Sequence, residues 1–161
     1  MAVSVESLAE KVVGEFEGVL DGGADWQDAV LAGLRVLRKG RRAYHWGGVY
    51  LLRGSELELG PFVGAPTEHT KIPVGQGVCG AAVAQGHNIN VPDVTALDNY
   101  LSCSPKTKSE LVVLIRDPDD GRILGQLDID SNKPAAFTAD DEKLLERFAR
   151  RLALVPEIRS A

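Results

Sequence analysis

The chain has 161 residues, a formal net charge of −5 and a pI of about 5.2, and this acidity argues against nucleic acid as its main partner. Its 44% hydrophobic and 25% charged composition is typical of a single globular domain, which we expect to cover residues 1–161. The sequence shows no signal-peptide pattern and no run of apolar residues as long as a membrane span, so a cytoplasmic protein is expected. The two cysteines are therefore expected to pack in the core or to take part in chemistry rather than to form a structural disulfide.

The first third of the chain has the pattern of two amphipathic helices. Apolar residues recur at helical spacing over residues 5–20, and the pattern stops at residues 21–23, which include two glycines. Asp25 is a suitable N-cap for a second helix, which we expect Gly40 to end. The basic stretch 38–42 is interpreted as a solvated loop.

The middle of the chain is predicted to be rich in β-structure. Residues 45–53 and 56–61 have the pattern of a hairpin around a glycine turn. A glycine-rich stretch follows over residues 60–86, with a short helix expected after Cys79. Residues 89–91 are predicted to form a short strand.

The last third is predicted to contain a loop, a hairpin and a helix. Residues 92–108 are polar, and a loop of that length in a compact domain is usually functional. Residues 110–115 and 122–129 form a predicted hairpin, and Thr138 with Asp141 resembles a capping box. The buried face of the terminal helix is predicted to hold Leu144, Leu145, Phe148, Leu152 and Val155. The fold class is therefore α+β, with N- and C-terminal helices flanking an antiparallel sheet.

The segment Trp46-Gly47-Gly48-Val49-Tyr50 is the first candidate for a functional role. In a strand, Trp46, Gly48 and Tyr50 point to the same face, so the glycine leaves a slot between two aromatic rings. Such a slot suits a methyl or thioether group through sulfur–aromatic contacts. Ordinary core packing is the alternative interpretation.

Acidic residues on the predicted C-terminal hairpin are the second candidate. Asp128 and Asp130 lie two residues apart on one face of a strand, together with Gln126, and Glu110 on the neighbouring strand can join them. A cluster of carboxylates can hold an ammonium group, and crowding raises a carboxyl pKa enough for proton donation. The alternative is a solvated strand face.

The segment Gly75-Gln76-Gly77-Val78-Cys79-Gly80 matches the dinucleotide-binding fingerprint only literally. That fingerprint requires a strand before it and a βαβ unit around it, and no parallel α/β alternation is predicted here. The glycines are better interpreted as a tight backbone path that brings Cys79 close to another part of the chain.

Cys103 lies in the long polar loop, where exposure is expected. Lys106 and Lys108 are nearby and favour the thiolate, which is the nucleophilic form of cysteine.

Cysteines and histidines are also the usual ligands of a zinc site. The candidate ligands are His69, Cys79, His87 and Cys103, but their spacing matches no known zinc finger. No metal and no cofactor is therefore expected.

Taken together, these segments resemble the GAF-domain free methionine-(R)-sulfoxide reductases. The resemblance runs in order across residues 5–155 and depends on a set of short segments, each of which is weak by itself. These segments are Trp46-Gly47-Gly48-Val49-Tyr50, Leu59-Gly60-Pro61-Phe62-Val63-Gly64, Ile72-Pro73-Val74-Gly75-Gln76-Gly77-Val78-Cys79-Gly80, Leu101-Ser102-Cys103, Ser109-Glu110-Leu111-Val112-Val113 and Leu127-Asp128-Ile129-Asp130-Ser131.

The resemblance implies a GAF-like fold and a reaction. Cys103 matches the attacking cysteine, whose thiolate reduces free methionine-(R)-sulfoxide and is left as a sulfenic acid. A second cysteine resolves this acid as a disulfide, and thioredoxin restores the dithiol. The matched carboxylates bind the substrate and assist proton transfer, and the matched aromatics line the pocket. The carboxylates are Glu110, Asp128 and Asp130, and the aromatics are Trp46 and Tyr50.

The chain departs from the family pattern at one position. The family commonly carries a further cysteine before the Ile-Pro segment, where this chain has His69. Three interpretations follow: Cys79 resolves the sulfenic acid, an external thiol recycles a one-cysteine enzyme, or catalysis has been lost. Apart from the reductase, a GAF sensor for a small ligand and an interaction domain with two buried cysteines remain as alternatives. A homodimer is expected by resemblance.

Overall fold

The computed structural model describes residues 4–97 and 105–160, and this part of the chain forms five α-helices around one six-stranded sheet. The helices are α1 Val5–Asp21, α2 Trp26–Gly40, α3 Gly77–Gln85, α4 Ala139–Leu152 and α5 Pro156–Arg159. The strands are β1 Trp46–Arg53, β2 Glu56–Val63, β3 Lys71–Pro73, β4 Ile89–Val91, β5 Ser109–Arg116 and β6 Ile123–Ser131.

The sheet is antiparallel at every pairing, with the order β3-β2-β1-β6-β5-β4. The two hairpins β1–β2 and β5–β6 meet in the centre, where β1 pairs with β6. The predicted α+β class, with an antiparallel sheet and helices at both ends of the chain, is therefore confirmed.

Helices α1, α2, α4 and α5 cover one face of the sheet, and α3 packs on the other. Alternating side chains of the central strands supply the helical face, including Leu111, Leu127 and Ile129, each of which is buried. Apolar burial of this kind is the main favourable term in folding. The main core is therefore separated by the sheet from the residues next to α3.

Side-chain caps fix the starts of three helices. Ser4 and Asp25 accept hydrogen bonds from main-chain amides in the first turns of α1 and α2. Thr138 and Asp141 form the predicted capping box of α4. The hydroxyl of buried Tyr44 donates to Asp141, so the cap also ties α4 to the segment before β1.

Several boundaries differ from the sequence prediction. Helix α3 begins at Gly77 rather than after Cys79, so Cys79 lies in its first turn. Arg38 lies in the last turn of α2, so the basic stretch 38–42 is only partly a loop. Strand β3 was not predicted, and Val155 precedes the additional helix α5 instead of extending α4.

Within residues 4–97 and 105–160, no helix is both long and apolar enough to cross a bilayer.

Close packing between α2 and α4 leads to a stability prediction. A Cβ atom on Gly33 would lie 2.5 Å from Cζ of the buried Phe148 ring, whereas one on exposed Gly14 of α1 would meet no heavy atom within 4 Å. We expect Gly33→Ala to lower the free energy of unfolding by about 1–3 kcal/mol through overpacking. Gly14→Ala should raise it by about 0.5–1 kcal/mol. Urea unfolding of both variants checks this, and equal effects would contradict the proposed contact.

Candidate active site

The sheet face that carries α3 is polar at its centre because of the register of three strands. Trp46 of β1 lies opposite Asp130 of β6, which in turn lies opposite Glu110 of β5. Asp128 lies one step further along β6, opposite Gly48 of β1. Directly opposed residues have Cβ atoms about 5 Å apart, so this register brings the predicted acidic and aromatic residues together.

The aromatic residues form one side of the site. The ring centroids of Trp46 and Tyr50 are 6.4 Å apart, and both side chains are buried. A Cβ atom on Gly48 would lie 2.6 Å from the indole of Trp46, so only glycine leaves room for the ring there. Phe62 of β2 stacks on Trp46 with centroids 5.6 Å apart and an interplanar angle of 18°. Trp46, Tyr50 and Phe62 therefore form an aromatic wall, but the slot predicted over Gly48 is wrong, because the indole of Trp46 itself fills that space.

The polar atoms of both predicted aromatics bind the loop that follows β2. Trp46 Nε1 donates to the carbonyl oxygen of Ala65 at 2.9 Å, and the Tyr50 hydroxyl donates to that of His69 at 2.8 Å. The amide of His69 also donates to Thr67 Oγ1 at 3.1 Å. The loop is therefore fastened at two points against the edge of the aromatic wall, and it carries the half-buried His69.

The three carboxyl groups are withdrawn from solvent, with exposures of 1% for Glu110, 0% for Asp128 and 1% for Asp130. The predicted cluster is therefore not a solvated strand face. Burial raises the pKa of Glu110 well above the usual range for a carboxyl, and the charges of Asp128 and Asp130 raise it further. A proton is thus favoured on Glu110, which is the condition for this group to act as an acid.

Cys79 reaches the carboxyl cluster from α3. Its side chain is 4% exposed, and its Sγ atom donates a hydrogen bond to Glu110 Oε2 at 3.6 Å. The preceding turn is tight: Gly75 N donates to Gly80 O at 2.9 Å, and a Cβ atom on Gly80 would lie 2.5 Å from Pro73 O. The glycine-rich segment therefore brings Cys79 close to another part of the chain, as predicted, and that part is β5.

His69, Cys79 and His87, the candidate zinc ligands that lie within the described residues, do not form a metal-ligand group there. Over residues 4–97 and 105–160, the one group with the composition and spacing of metal ligands is Cys79, Glu110 and Asp128, whose ligand atoms lie within 4.8 Å of one another. It contains no histidine, and His87 is exposed.

Cys103 lies outside the described residues, so its position relative to the cluster is not part of the structure. The other predicted site residues all lie on the α3 side of the sheet: Trp46, Tyr50, Cys79, Glu110, Asp128 and Asp130.

Sequence reasoning did not select two residues that lie at this site. Phe62 stacks on Trp46, and Gln126 is buried with its side-chain amide on the main chain of Cys79. The alternation along β6 already put Gln126 on the acidic face, which was the available signal. The pairing that puts Phe62 opposite Gly48 has no comparable signal in the sequence.

Comparison with known families extends these observations. A family model of the GAF domain matches residues 25–155. GAF domain-containing protein A of Dictyostelium discoideum is 37% identical over 150 residues, which is 92% of this chain and 92% of that protein.

Two further relatives share a more specific name. The free methionine-R-sulfoxide reductase of Saccharomyces cerevisiae is 32% identical over 152 residues, covering 90% of this chain and 83% of that protein. The free methionine-R-sulfoxide reductase of Escherichia coli is 39% identical over 111 residues, covering 69% of this chain and 66% of that protein.

A solved structure carries the same name. The free methionine-R-sulfoxide reductase of Neisseria meningitidis, in complex with its substrate, superimposes with a TM-score of 0.82 and 32% identity, covering 99% of this chain and 98% of that chain. The fold, the family match and the extent of these similarities agree, and the chain belongs to the GAF-domain free methionine-R-sulfoxide reductase family.

Proposed function

We propose that this protein reduces free methionine-(R)-sulfoxide to methionine. The observation that carries the proposal is the group of three buried carboxyls, Glu110, Asp128 and Asp130, beside the aromatic pair Trp46 and Tyr50. Relatives with the corresponding name support the choice of substrate.

The carboxyl cluster is suited to the ammonium group of a free amino acid. Removing one carboxylate from water without a partner costs several kcal/mol, so three in one place favour a cationic ligand. Glu110 Oε1 is buried and has no hydrogen-bond partner within residues 4–97 and 105–160, and an ammonium supplies donors of the required kind. A peptide-bound residue has no such cation, so the cluster favours the free amino acid.

The aromatic wall is suited to the other end of the substrate. Methyl and thioether groups make favourable contacts with aromatic rings, and Trp46 and Tyr50 lie beside the carboxyl cluster while their polar atoms bind the loop. The substrate is thereby oriented between a cation site and an apolar wall.

In the proposed reaction, the thiolate of Cys103 attacks the sulfoxide sulfur. The sulfoxide sulfur gains two electrons and leaves as the thioether of methionine, while the Cys103 sulfur takes the oxygen and becomes a sulfenic acid. Glu110 supplies a proton to the sulfoxide oxygen, consistent with its raised pKa. The role of Cys103 depends on the family resemblance.

The enzyme is then returned to its reduced form. The Cys79 thiol attacks the sulfenic sulfur, an S–S bond forms, and the oxygen leaves as water. Thioredoxin reduces the disulfide by thiol–disulfide exchange. We assign this cycle to a cytoplasmic homodimer whose subunit is a single GAF domain over residues 1–161.

The first test concerns the form of the substrate. NADPH oxidation coupled through thioredoxin should occur with the free R epimer and should be at least tenfold slower with the S epimer or with N-acetylated methionine sulfoxide, because acetylation removes the ammonium. Equal rates with the acetylated compound would contradict the ammonium site.

The second test concerns the acids. Asp128→Asn and Asp130→Asn should each lower kcat/KM by roughly 10²-fold, the usual effect of losing a positioned acid or substrate anchor. Glu157→Gln, at an exposed position of α5, is the matched control and should leave steady-state kinetics unchanged. Wild-type kinetics in both aspartate variants would reduce the cluster to a structural feature.

The third test separates the two cysteines. Cys103→Ser should abolish turnover, whereas Cys79→Ser should release one methionine per subunit and then recycle slowly with thioredoxin. Peptide mapping of the wild type after one turnover should identify a Cys79–Cys103 disulfide. A stable sulfenic acid on Cys103 would instead indicate recycling by an external thiol, and full activity of Cys103→Ser would overturn the assignment of the nucleophile.

A further inference from the structure

Gln126 is a fully buried amide in an otherwise acidic and apolar row. It lies on β6 one step along the same face from Asp128, opposite Tyr50 of β1 and Leu114 of β5, and its exposure is 0%. Glutamine is seldom fully buried, because its amide loses hydrogen bonds to water. The hydrogen bonds of the Gln126 amide therefore indicate why a glutamine is buried at this position.

The amide binds the main chain of α3. Gln126 Nε2 donates to the carbonyl oxygen of Cys79 at 3.2 Å. Gln126 Oε1 has no hydrogen-bond partner in the described ranges, so the side chain is buried with only part of its bonding capacity used. Burying an amide with an unused acceptor costs free energy that an apolar side chain of the same size would not. The bond to Cys79 is therefore what glutamine provides here and an apolar residue cannot.

The start of α3 is closed by main-chain hydrogen bonds within its own segment, such as that from Gly75 N to Gly80 O at 2.9 Å. The N-cap residue Gln76 makes no side-chain capping bond, and Gly77 has a φ of 63°, which favours glycine and leaves the start of the helix without a side chain. The side chains of Val78 and Ala82 are buried here and are apolar, so they form no hydrogen bonds to the sheet. The amide of Gln126 therefore supplies a directional tie between this turn and the sheet.

Cys79 is consequently held at two points on two strands. Its main chain is bound by Gln126 of β6, and its thiol donates to Glu110 of β5 at 3.6 Å. The sulfur position depends on both contacts, because a shift of the turn moves the sulfur relative to the carboxyl.

We propose that Gln126 is a positioning residue for Cys79, holding the first turn of α3 on the sheet so that the thiol stays next to Glu110. This inference builds on the proposed function, in which Cys79 resolves the sulfenic acid of Cys103. In that step the S–O bond of the sulfenic acid breaks, the S–S bond forms, and the oxygen leaves with two protons as water, so no further oxidant is needed.

Single-turnover kinetics test the proposal directly. The reduced enzyme is mixed with one equivalent of free methionine-(R)-sulfoxide, and methionine release and disulfide formation are followed separately. In Gln126→Met, which keeps the size of the side chain but loses the donor, disulfide formation should slow about tenfold relative to methionine release, a factor that one hydrogen bond accounts for. Leu127→Met, at the next position but on the opposite face, is the matched control and should change neither rate.

A second measurement does not depend on catalysis. In the Cys103→Ser background, Cys79 is the one remaining thiol of the full chain, and its alkylation rate reports how firmly the turn is held. Gln126→Met should raise the alkylation rate of Cys79 about tenfold more than its loss of global stability predicts, where that loss is measured by urea unfolding of the same variant. Alkylation that follows global stability alone, or an unchanged ratio of the two single-turnover rates, would overturn the positioning role. Activity retained in Cys103→Ser would instead count against the proposed function, while the alkylation result would still decide the role of Gln126.

Discussion

Glu110, Asp128 and Asp130 lie side by side on two paired strands, out of contact with bulk water. Three carboxyl groups in such a place repel one another, and the protein relieves part of that repulsion by favouring a proton on Glu110. A bound cation relieves more of it. The raised pKa of Glu110 and the proposed preference for an ammonium ligand therefore have the same physical origin.

Burying three neighbouring carboxyl groups lowers the stability of the fold. Apolar side chains on the opposite face of the same strands offset this loss. Leu111, Leu127 and Ile129 alternate with the acids and are buried among the helices. Burying each such side chain contributes roughly 1.5–3 kcal/mol. The fixed two-residue period of a strand lets one segment carry both the acids and the apolar anchors, and a one-residue shift in register would exchange them.

Patterns that repeat at short range were predictable from the sequence. Alternation along β6 placed Asp128 and Asp130 on one face, and the caps at Asp25 and Thr138 located two helix starts. Strand β3 was missed because it ends in Pro73 and lies in the stretch that the glycines led us to interpret as an irregular backbone path. The contact of Gln126 with Cys79 was also missed, since it joins residues 47 positions apart and depends on how α3 packs. Sequence reasoning identified which side chains share a face, and tertiary packing decided which of them touch.

The loop fastened by Trp46 and Tyr50 has a consequence for how this family can vary. Both aromatics bind main-chain carbonyl oxygens, those of Ala65 and His69, and every amino acid provides such an oxygen. The side chains of the loop can therefore be exchanged in evolution while the anchoring bonds stay the same. A different residue at position 69 would still offer its carbonyl oxygen to the Tyr50 hydroxyl, so the side chain next to the site can change while the loop stays anchored.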